Sequence, residues 1–229
     1  MLRSKTKVKK GQRVKTKTLE DADKFTLDEL RDQMVCHCRP TFPLTSEEDC
    51  GILIVGEAPG TEEFKTGLPF SSNGKNAGSV LNDCLQDAGV LTSSVSITNV
   101  FLERPPSNNV SRFFTDEKQK GTEHLGTFKG RYLLPSMYPH VLFLNKLITE
   151  VVKPKVIVSL GNIPLWFFTG QDCGVTRKVG TTDIINGIPV VFTFHPAAVL
   201  WGNRKMQMKG QITEAFVLAY EKIQQQKEG

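Results

Sequence analysis

The sequence has no long apolar run, no two pairs of closely spaced cysteines and no cysteine-rich framework. Its apolar runs stay far below the roughly 18 residues that cross a bilayer, so no transmembrane helix is expected. No apolar stretch of a secretory signal follows the basic N-terminus. Five cysteines, an odd number at irregular spacing, argue against paired disulfides. We expect an intracellular protein with reduced thiols, cytoplasmic or nuclear, or virus-encoded and acting inside a host cell.

The composition is typical of an ordinary globular protein. The chain has 229 residues, of which 39% are hydrophobic and 23% charged. These proportions exclude collagen-like and wholly disordered chains, and the length suits a single domain with one sizeable core.

The basic charge is concentrated at the N-terminus. Residues 1–17 contain eight of the 29 Lys and Arg residues and no acidic residue, so the net charge of +5 becomes −3 for residues 18–229. Such an arm binds polyanions without reading sequence, or serves as a solubilising or targeting tail, and the residues leave both open. We predict a flexible arm over residues 1–25 and a single domain over residues 26–229.

Strand and helix signals alternate along the rest of the chain. Thr26 and Glu29 form a capping-box pattern before a short helix, and Asn186-Gly187 predicts a hairpin between residues 182–185 and 190–194. Apolar runs predict buried strands at 51–56, 95–101 and 155–160, and helices are expected near 75–89, 136–151, 163–168 and 206–225. The alternation predicts an α/β fold, with a mainly parallel sheet between two layers of helices.

Three polar residues follow or end predicted strands. Glu57 follows the first strand, Asn99 lies in the second, and His195 follows the hairpin strand, while Phe70 lies on the loop after Glu57. Parallel strands present their carboxyl ends at one edge, where ligands bind. Together these side chains could hold a planar heterocycle, although each taken alone also suits a turn cap, a loop bridge or a histidine beside a rigid proline.

Two other motifs are weaker. The stretch around Gly74-Lys75 resembles a phosphate-binding loop, but Pro69 replaces its first glycine and Asn76 its Ser or Thr. Cys36-His37-Cys38 resembles a metal motif, but no second pair completes the usual four ligands, so we expect structural or incidental cysteines and no bound metal.

Taken in order, the motifs resemble the uracil-DNA glycosylase superfamily, most closely its iron–sulfur-containing branch. The resemblance covers roughly residues 27–220 and rests on GEAPG at 56–60, GLPF at 67–70, AGSVL at 77–81, ITNVFLERPP at 97–106, KPKVIVSLG at 153–161 and HPAAVL at 195–200.

The resemblance implies a three-layer α/β/α domain that removes uracil from DNA by hydrolysing its N-glycosidic bond. It implies that Glu57 positions or activates water and stabilises positive charge on the sugar, and that His195 stabilises the departing base. Asn99 would bind the uracil edge and Phe70 would stack on it.

DNA is the expected partner, bound by a monomer that flips the target base out of the stack. An inserted apolar side chain can offset the cost of unstacking. Val199 and Leu200 are the candidates for this wedge, and Arg204 and Lys205 are candidates for phosphate contacts. Ordinary packing of this loop on the domain is the alternative.

The chain departs from the family pattern in three places. The branch has a leading C-x2-C pair and two later cysteines, whereas this chain has C-x-C, has Glu103 in the third place and has no cysteine between residues 85 and 172. We therefore predict no iron–sulfur cluster and no other cofactor. The loop SSNGKN between Phe70 and Ala77 is longer than usual, and residues 107–132 are atypical.

These departures leave three functions open. The first is a glycosylase acting on uracil or a close 5-substituted analogue. The second is a catalytically silent DNA-binding or replication accessory protein with the same fold. The third is an enzyme acting on a different nucleobase substrate, such as free nucleotides or hypermodified DNA.

Overall fold

A five-stranded sheet forms the centre of the protein in the computed structural model, which describes residues 17–18, 20–45, 47–119, 121–201 and 203–228. The strand order is β2-β1-β5-β7-β6. The strands are β1 (Ile52–Gly56), β2 (Ser96–Asn99), β5 (Val156–Leu160), β6 (Thr182–Ile185) and β7 (Ile188–Thr193). Four strands are parallel, and β6 runs antiparallel to β7 at one edge.

Helices cover both faces of this sheet. They are α1 (Leu27–Asp32), α2 (Thr61–Thr66), α3 (Ala77–Asp87), α4 (Tyr138–Lys146), α5 (Asn162–Thr169), α6 (Ala197–Trp201) and α7 (Lys205–Glu228). Side chains alternate between the faces because successive strand residues point in opposite directions. Leu53 and Val55 pack in the core formed with α4 and α5, whereas Ile52 and Ile54 pack in the core formed with α3 and α7. The predicted three-layer α/β/α fold is confirmed.

Local signals place two elements as predicted. The Thr26 side chain accepts a hydrogen bond from the Glu29 backbone N–H at the start of α1, and the Glu29 carboxylate accepts one from the Thr26 N–H at 2.7 Å. Asn186 and Gly187 both have positive φ angles, 52° and 82°, as a tight hairpin turn between β6 and β7 requires. Both predictions are confirmed.

One predicted helix has a different end. The helix expected over residues 136–151 is α4, which ends at Lys146 and continues as one π-helical turn over Leu147–Val152. Lys153 then adopts a left-handed conformation, with φ of 46°, before β5. A π turn holds one more residue than an α turn, a difference that the apolar pattern does not reveal.

The polar segment 103–130 packs on the domain through its aromatic residues. Strand β3 (Phe114–Thr115) pairs with β4 (Tyr132–Leu133) in a small antiparallel sheet. Phe113, Phe114 and Phe128 are buried in the core on the α4 and α5 side. The average polarity of the segment hides these few buried residues in the sequence. Residue 120 lies outside the described part.

The described residues just before the predicted boundary at residue 26 pack on the domain. Ala22 is buried in the core, and Tyr138 Oη donates a hydrogen bond to Asp21 Oδ2 at 2.8 Å. Residues 20–25 therefore pack on the domain, so the domain begins before the predicted boundary at residue 26. Residues 1–16, most of the basic arm, lie outside the described residues.

Among the described residues, none of the helices combines the length and the apolar character needed to cross a membrane.

Candidate active site

Glu57, Asn99 and His195 lie at the carboxyl ends of three parallel strands, β1, β2 and β7. Glu57 directly follows β1, Asn99 is the last residue of β2, and His195 lies two residues after β7. Asn99 pairs in register with Gly56, and the backbone N–H of Phe101 donates to the carbonyl of Glu57 at 3.1 Å. The sheet thus brings the predicted residues to one edge.

Phe70 and Asn99 meet over Gly56. A Cβ atom at Gly56 would overlap Asn99 Oδ1 and would lie 2.6 Å from Cε2 of Phe70, so no side chain fits there. The Asn99 side chain is 99% buried, yet neither its oxygen nor its nitrogen has a hydrogen-bond partner among the described residues. A buried amide without a partner costs free energy, and a bound polar ligand would remove that cost.

His195 presents one ring nitrogen as a hydrogen-bond donor. Burial lowers its pKa to about 4, so the imidazole is neutral near pH 7. Its Nδ1 accepts a hydrogen bond from the Ala197 backbone N–H at 3.2 Å. In a neutral ring the proton must then reside on Nε2. The ring lies near Phe70, with centroids 5.5 Å apart and planes tilted by 34°.

Glu57 is a partly buried carboxyl group. Burial raises its pKa from 4.5 to about 7, and the nearby positive charge of Lys129 acts in the opposite direction. A carboxyl group with a pKa near the working pH suits acid–base chemistry. Sequence reasoning missed Lys129, because it reaches Glu57 from the segment 103–130 and no local pattern marks it.

The structure adds Glu63, which ties the two motif loops together. Its carboxylate accepts hydrogen bonds from the backbone N–H of Gly60 at 2.6 Å and of Phe70 at 2.7 Å. Phe70 has a φ of 49°, which is rare for a bulky residue. Glu63 therefore holds Phe70 in a strained conformation beside Asn99. The position of Glu63 in the first turn of α2 predicts its hydrogen bond to the Gly60 backbone. Nothing in the sequence predicts its hydrogen bond to Phe70.

The four predicted DNA-contact residues divide into two kinds. Val199 is only 9% exposed and, together with the partly buried Leu200, packs in the core beneath α3 and α7. Arg204 and Lys205 are exposed at the start of α7. The burial of Val199 does not suit insertion into DNA, and the sequence did not mark the short helix α6 that buries it.

The cysteines do not form the ligand set of an iron–sulfur cluster. Cys36 and Cys38 lie beside Leu102, whereas Cys84 lies on α3, Cys50 beside Ser94 and Cys173 after α5. Burial raises the pKa of the Cys38 thiol to about 12, which opposes the thiolate form that binds metal. No group of three or more metal-binding side chains within the described ranges is placed to hold an ion. The residues present do not fit a cluster with four cysteine ligands.

Glu103, which stands in the third cysteine place of the branch pattern, lies between His37 and His140. We call these three residues the polar cluster. His140 Nδ1 accepts a hydrogen bond from the Leu102 N–H at 3.1 Å, and His37 Nδ1 accepts one from the Arg104 N–H at 3.0 Å. His140 Nε2 lies 4.0 Å from Glu103 Oε2. Both rings are thus engaged by backbone donors on either side of Glu103.

This protonation pattern disfavours metal binding. A neutral ring that accepts at Nδ1 carries its proton on Nε2, so it has no second lone pair for a metal. If Nε2 gave up its proton to bind a metal, the proton would move to Nδ1, where it would point at the backbone N–H that now donates to that atom. The polar cluster instead connects residues 37, 102 and 104 with α4.

Comparisons with known proteins identify the family of this chain. Residues 42–221 match the family model of the uracil DNA glycosylase superfamily. The chain is 34% identical over 168 residues to the Type-4 uracil-DNA glycosylase of Thermotoga maritima, covering 72% of this chain and 74% of the relative. It is 29% identical over 189 residues to the protein of that name in Archaeoglobus fulgidus (79% of each chain) and 28% over 206 residues to that in Pyrobaculum aerophilum (88% and 89%). The chain therefore belongs to the uracil-DNA glycosylase superfamily.

Proposed function

We propose that this protein hydrolyses the N-glycosidic bond of uracil, or of a close 5-substituted analogue, in DNA. The observation that carries the proposal is the buried, unpartnered amide of Asn99 between Gly56 and Phe70, with a neutral histidine and a partly buried carboxyl group at the same edge of the sheet.

Recognition of the base uses Asn99 and Phe70. The edge of uracil presents a carbonyl oxygen next to a ring N–H. The Asn99 amide, with one donor group and one acceptor atom, is complementary to that pair. Phe70 supplies an aromatic face on which the base stacks. The partners that Asn99 lacks in the described structure are thus supplied by the substrate.

His195 stabilises the departing base. Bond cleavage leaves negative charge on uracil, and a preorganised donor aimed at such charge contributes about 2.7–4 kcal/mol. His195 donates from Nε2 to a carbonyl oxygen of the base. The Ala197 N–H holds the ring in this tautomer. Because the ring is neutral, it stabilises charge by donation without giving up its proton.

Glu57 acts at the sugar. Cleavage gives the deoxyribose positive charge, which an ionised carboxylate stabilises, and the same carboxylate orients or activates the attacking water. Its pKa of about 7 means that roughly half of the molecules have the ionised form at neutral pH. Activity should therefore rise with pH through this range.

DNA binding places the flipped nucleotide over this edge. Arg204 and Lys205 contact phosphates next to the site, and base flipping brings the uracil to Asn99. Of the two wedge candidates, Val199 is buried and Leu200 is partly buried against the same core. The basic arm adds attraction that does not depend on sequence. We infer action as a monomer, inside a cell where DNA is present.

We infer that the protein works without an iron–sulfur cluster. The scattered cysteines and the hydrogen-bonded rings of the polar cluster support this proposal. Purified protein should contain far less than one iron per chain, show no visible absorbance band and keep its melting temperature in a chelator. Stoichiometric iron that is lost together with thermal stability would contradict it.

A substrate panel tests the activity. Labelled oligonucleotides with uracil opposite adenine, uracil opposite guanine, single-stranded uracil or 5-hydroxymethyluracil are incubated with the protein and then treated with alkali. Strand scission at the uracil position is expected, and thymine should not be released. No scission on any of these substrates would contradict the proposal.

Variants assign the scission to this site. Glu57→Ala and His195→Ala should each abolish most of the activity while DNA binding persists. Salt-dependent DNA binding that is unchanged in both variants, with no base released by the unmodified protein, would instead indicate an accessory DNA-binding protein.

A further inference from the structure

The tip of the short helix after His195 exposes an aromatic side chain. Trp201, the last residue of α6, is 85% exposed, and Met206 at the start of α7 is 82% exposed. The other tryptophan, Trp166, is 2% exposed. Large apolar side chains exposed together mark contact surfaces more often than chance does.

Helix α6 fixes the position of this tip relative to the active site. The Ala198 N–H donates to the His195 carbonyl at 2.9 Å, so the helix starts directly at the histidine. Val199 packs into the core beneath it. The four steps from Ala197 to Trp201 in this five-residue helix rise about 6 Å, so the tip lies close to the histidine.

Positive charge lies beside the aromatic tip. Arg204 and Lys205 follow Trp201 within four residues and are exposed. An apolar wedge beside phosphate-binding residues is the arrangement with which proteins unstack DNA. An aromatic ring stacks on any base, so it fills the space that an extruded nucleotide leaves, whatever its neighbours.

We propose that Trp201 is the side chain that enters the DNA base stack when the target nucleotide leaves it. This inference deepens the proposed function and rests on it for the identity of the flipped base. Val199 and Leu200 then have a different role: they anchor α6 so that Trp201 projects from a rigid tip. The occupant of this apolar tip is therefore double-stranded DNA.

Single-turnover base release on two substrates tests the wedge. Trp201→Ala should slow base release from a uracil–adenine duplex by about 30-fold. The same variant should slow base release from single-stranded DNA by a factor at least tenfold smaller, because only the duplex requires unstacking. Trp201→Phe should recover most of the duplex rate. Leu44→Ala is the matched control: Leu44 is 90% exposed near Ser96, at the opposite end of the strands. Equal losses on both substrates, or none, would overturn the proposal.

Fluorescence gives a readout that does not depend on catalysis. Trp201 is the one exposed tryptophan of two, so stacking on DNA bases should quench the emission of the unmodified protein. A duplex carrying an abasic site should quench it strongly, and Trp201→Phe should remove the response. If no base is released but the quenching is present, the wedge stands and the proposed activity fails. If base is released without quenching, Trp201 is not the wedge, and concentration-dependent emission without DNA would indicate a second copy as the occupant.

Discussion

The candidate active site and the polar cluster both bury polar side chains next to the end of β2, but they use them differently. In the site, the amide of Asn99 has no hydrogen-bond partner among the described residues. In the polar cluster, His37 and His140 each accept a hydrogen bond at Nδ1 from a backbone N–H far away in sequence, and only Nε2 of His140 is buried without a partner among the described residues. The first arrangement leaves the whole amide for a ligand, whereas the second uses one nitrogen of each ring to hold distant segments of the chain together.

This difference teaches how to separate function from stability in this fold. Buried side chains that form hydrogen bonds with the backbone stabilise the protein. Removing such a side chain leaves its backbone partner buried without a hydrogen bond. Buried groups without partners cost stability and persist where they serve binding or catalysis. Substitutions in the two regions should therefore have opposite effects on activity and on unfolding.

Asn99→Ala should have the largest effect. Base release under single-turnover conditions is expected to fall about a thousandfold, because the base loses both of its edge hydrogen bonds. The free energy of unfolding in urea should stay the same or rise, since two unpaired buried atoms are removed. Asn145→Ala on α4, whose amide bonds within its own helix, is the control and should keep its activity. If Asn99→Ala keeps full activity and unfolds at a lower urea concentration than the unmodified protein, Asn99 is a structural residue.

His140→Ala should show the opposite pattern. The buried ring and its bond to the Leu102 N–H are lost, so the free energy of unfolding should fall by about 3 kcal/mol. Activity per folded molecule should stay within about threefold of the unmodified protein. His124→Ala removes a partly buried ring and should cost less. A large loss of activity at unchanged stability would place the polar cluster in the reaction.

Glu57→Gln should stabilise the protein at high pH. The folded pKa of about 7 lies above the ordinary 4.5, so the carboxyl group costs stability increasingly as pH rises from 4.5 to 7. Glutamine does not ionise, and above pH 7.5 the variant should therefore be more stable by roughly 2 kcal/mol, with little difference at pH 4. Thermal unfolding across this pH range measures the effect. An equal change at both ends would show that burial of charge is not its cause.

Local sequence signals predict the strands and the convergence of the site, but not every buried residue. Short apolar runs in the sequence predict the strands. Parallel pairing of those strands brings their carboxyl ends, and with them Glu57, Asn99 and His195, to one edge of the sheet. Phe113, Phe114 and Phe128 were hidden in a segment whose average composition is polar.

Contacts between distant segments could not be predicted. Glu63 holds Phe70, Lys129 acts on Glu57, and His140 meets Leu102 across 38 residues. Each depends on how loops fold back on the sheet, and a single sequence has no periodic signal for that. The exposure of Trp201 likewise depends on the short helix α6, which buries Val199 and turns its last residue outward.

Lys129→Ala should have the smallest effect, confined to the pH profile. The charge of Lys129 lowers the pKa of Glu57, so its removal raises that pKa further. Because the ionised carboxylate is the active form, the rising limb of base release should move to higher pH. The variant should lose a few-fold in rate near pH 6 and little near pH 9. Lys129→Arg keeps the charge and should restore the profile, whereas a loss that is the same at every pH would mean that Lys129 acts on DNA rather than on Glu57.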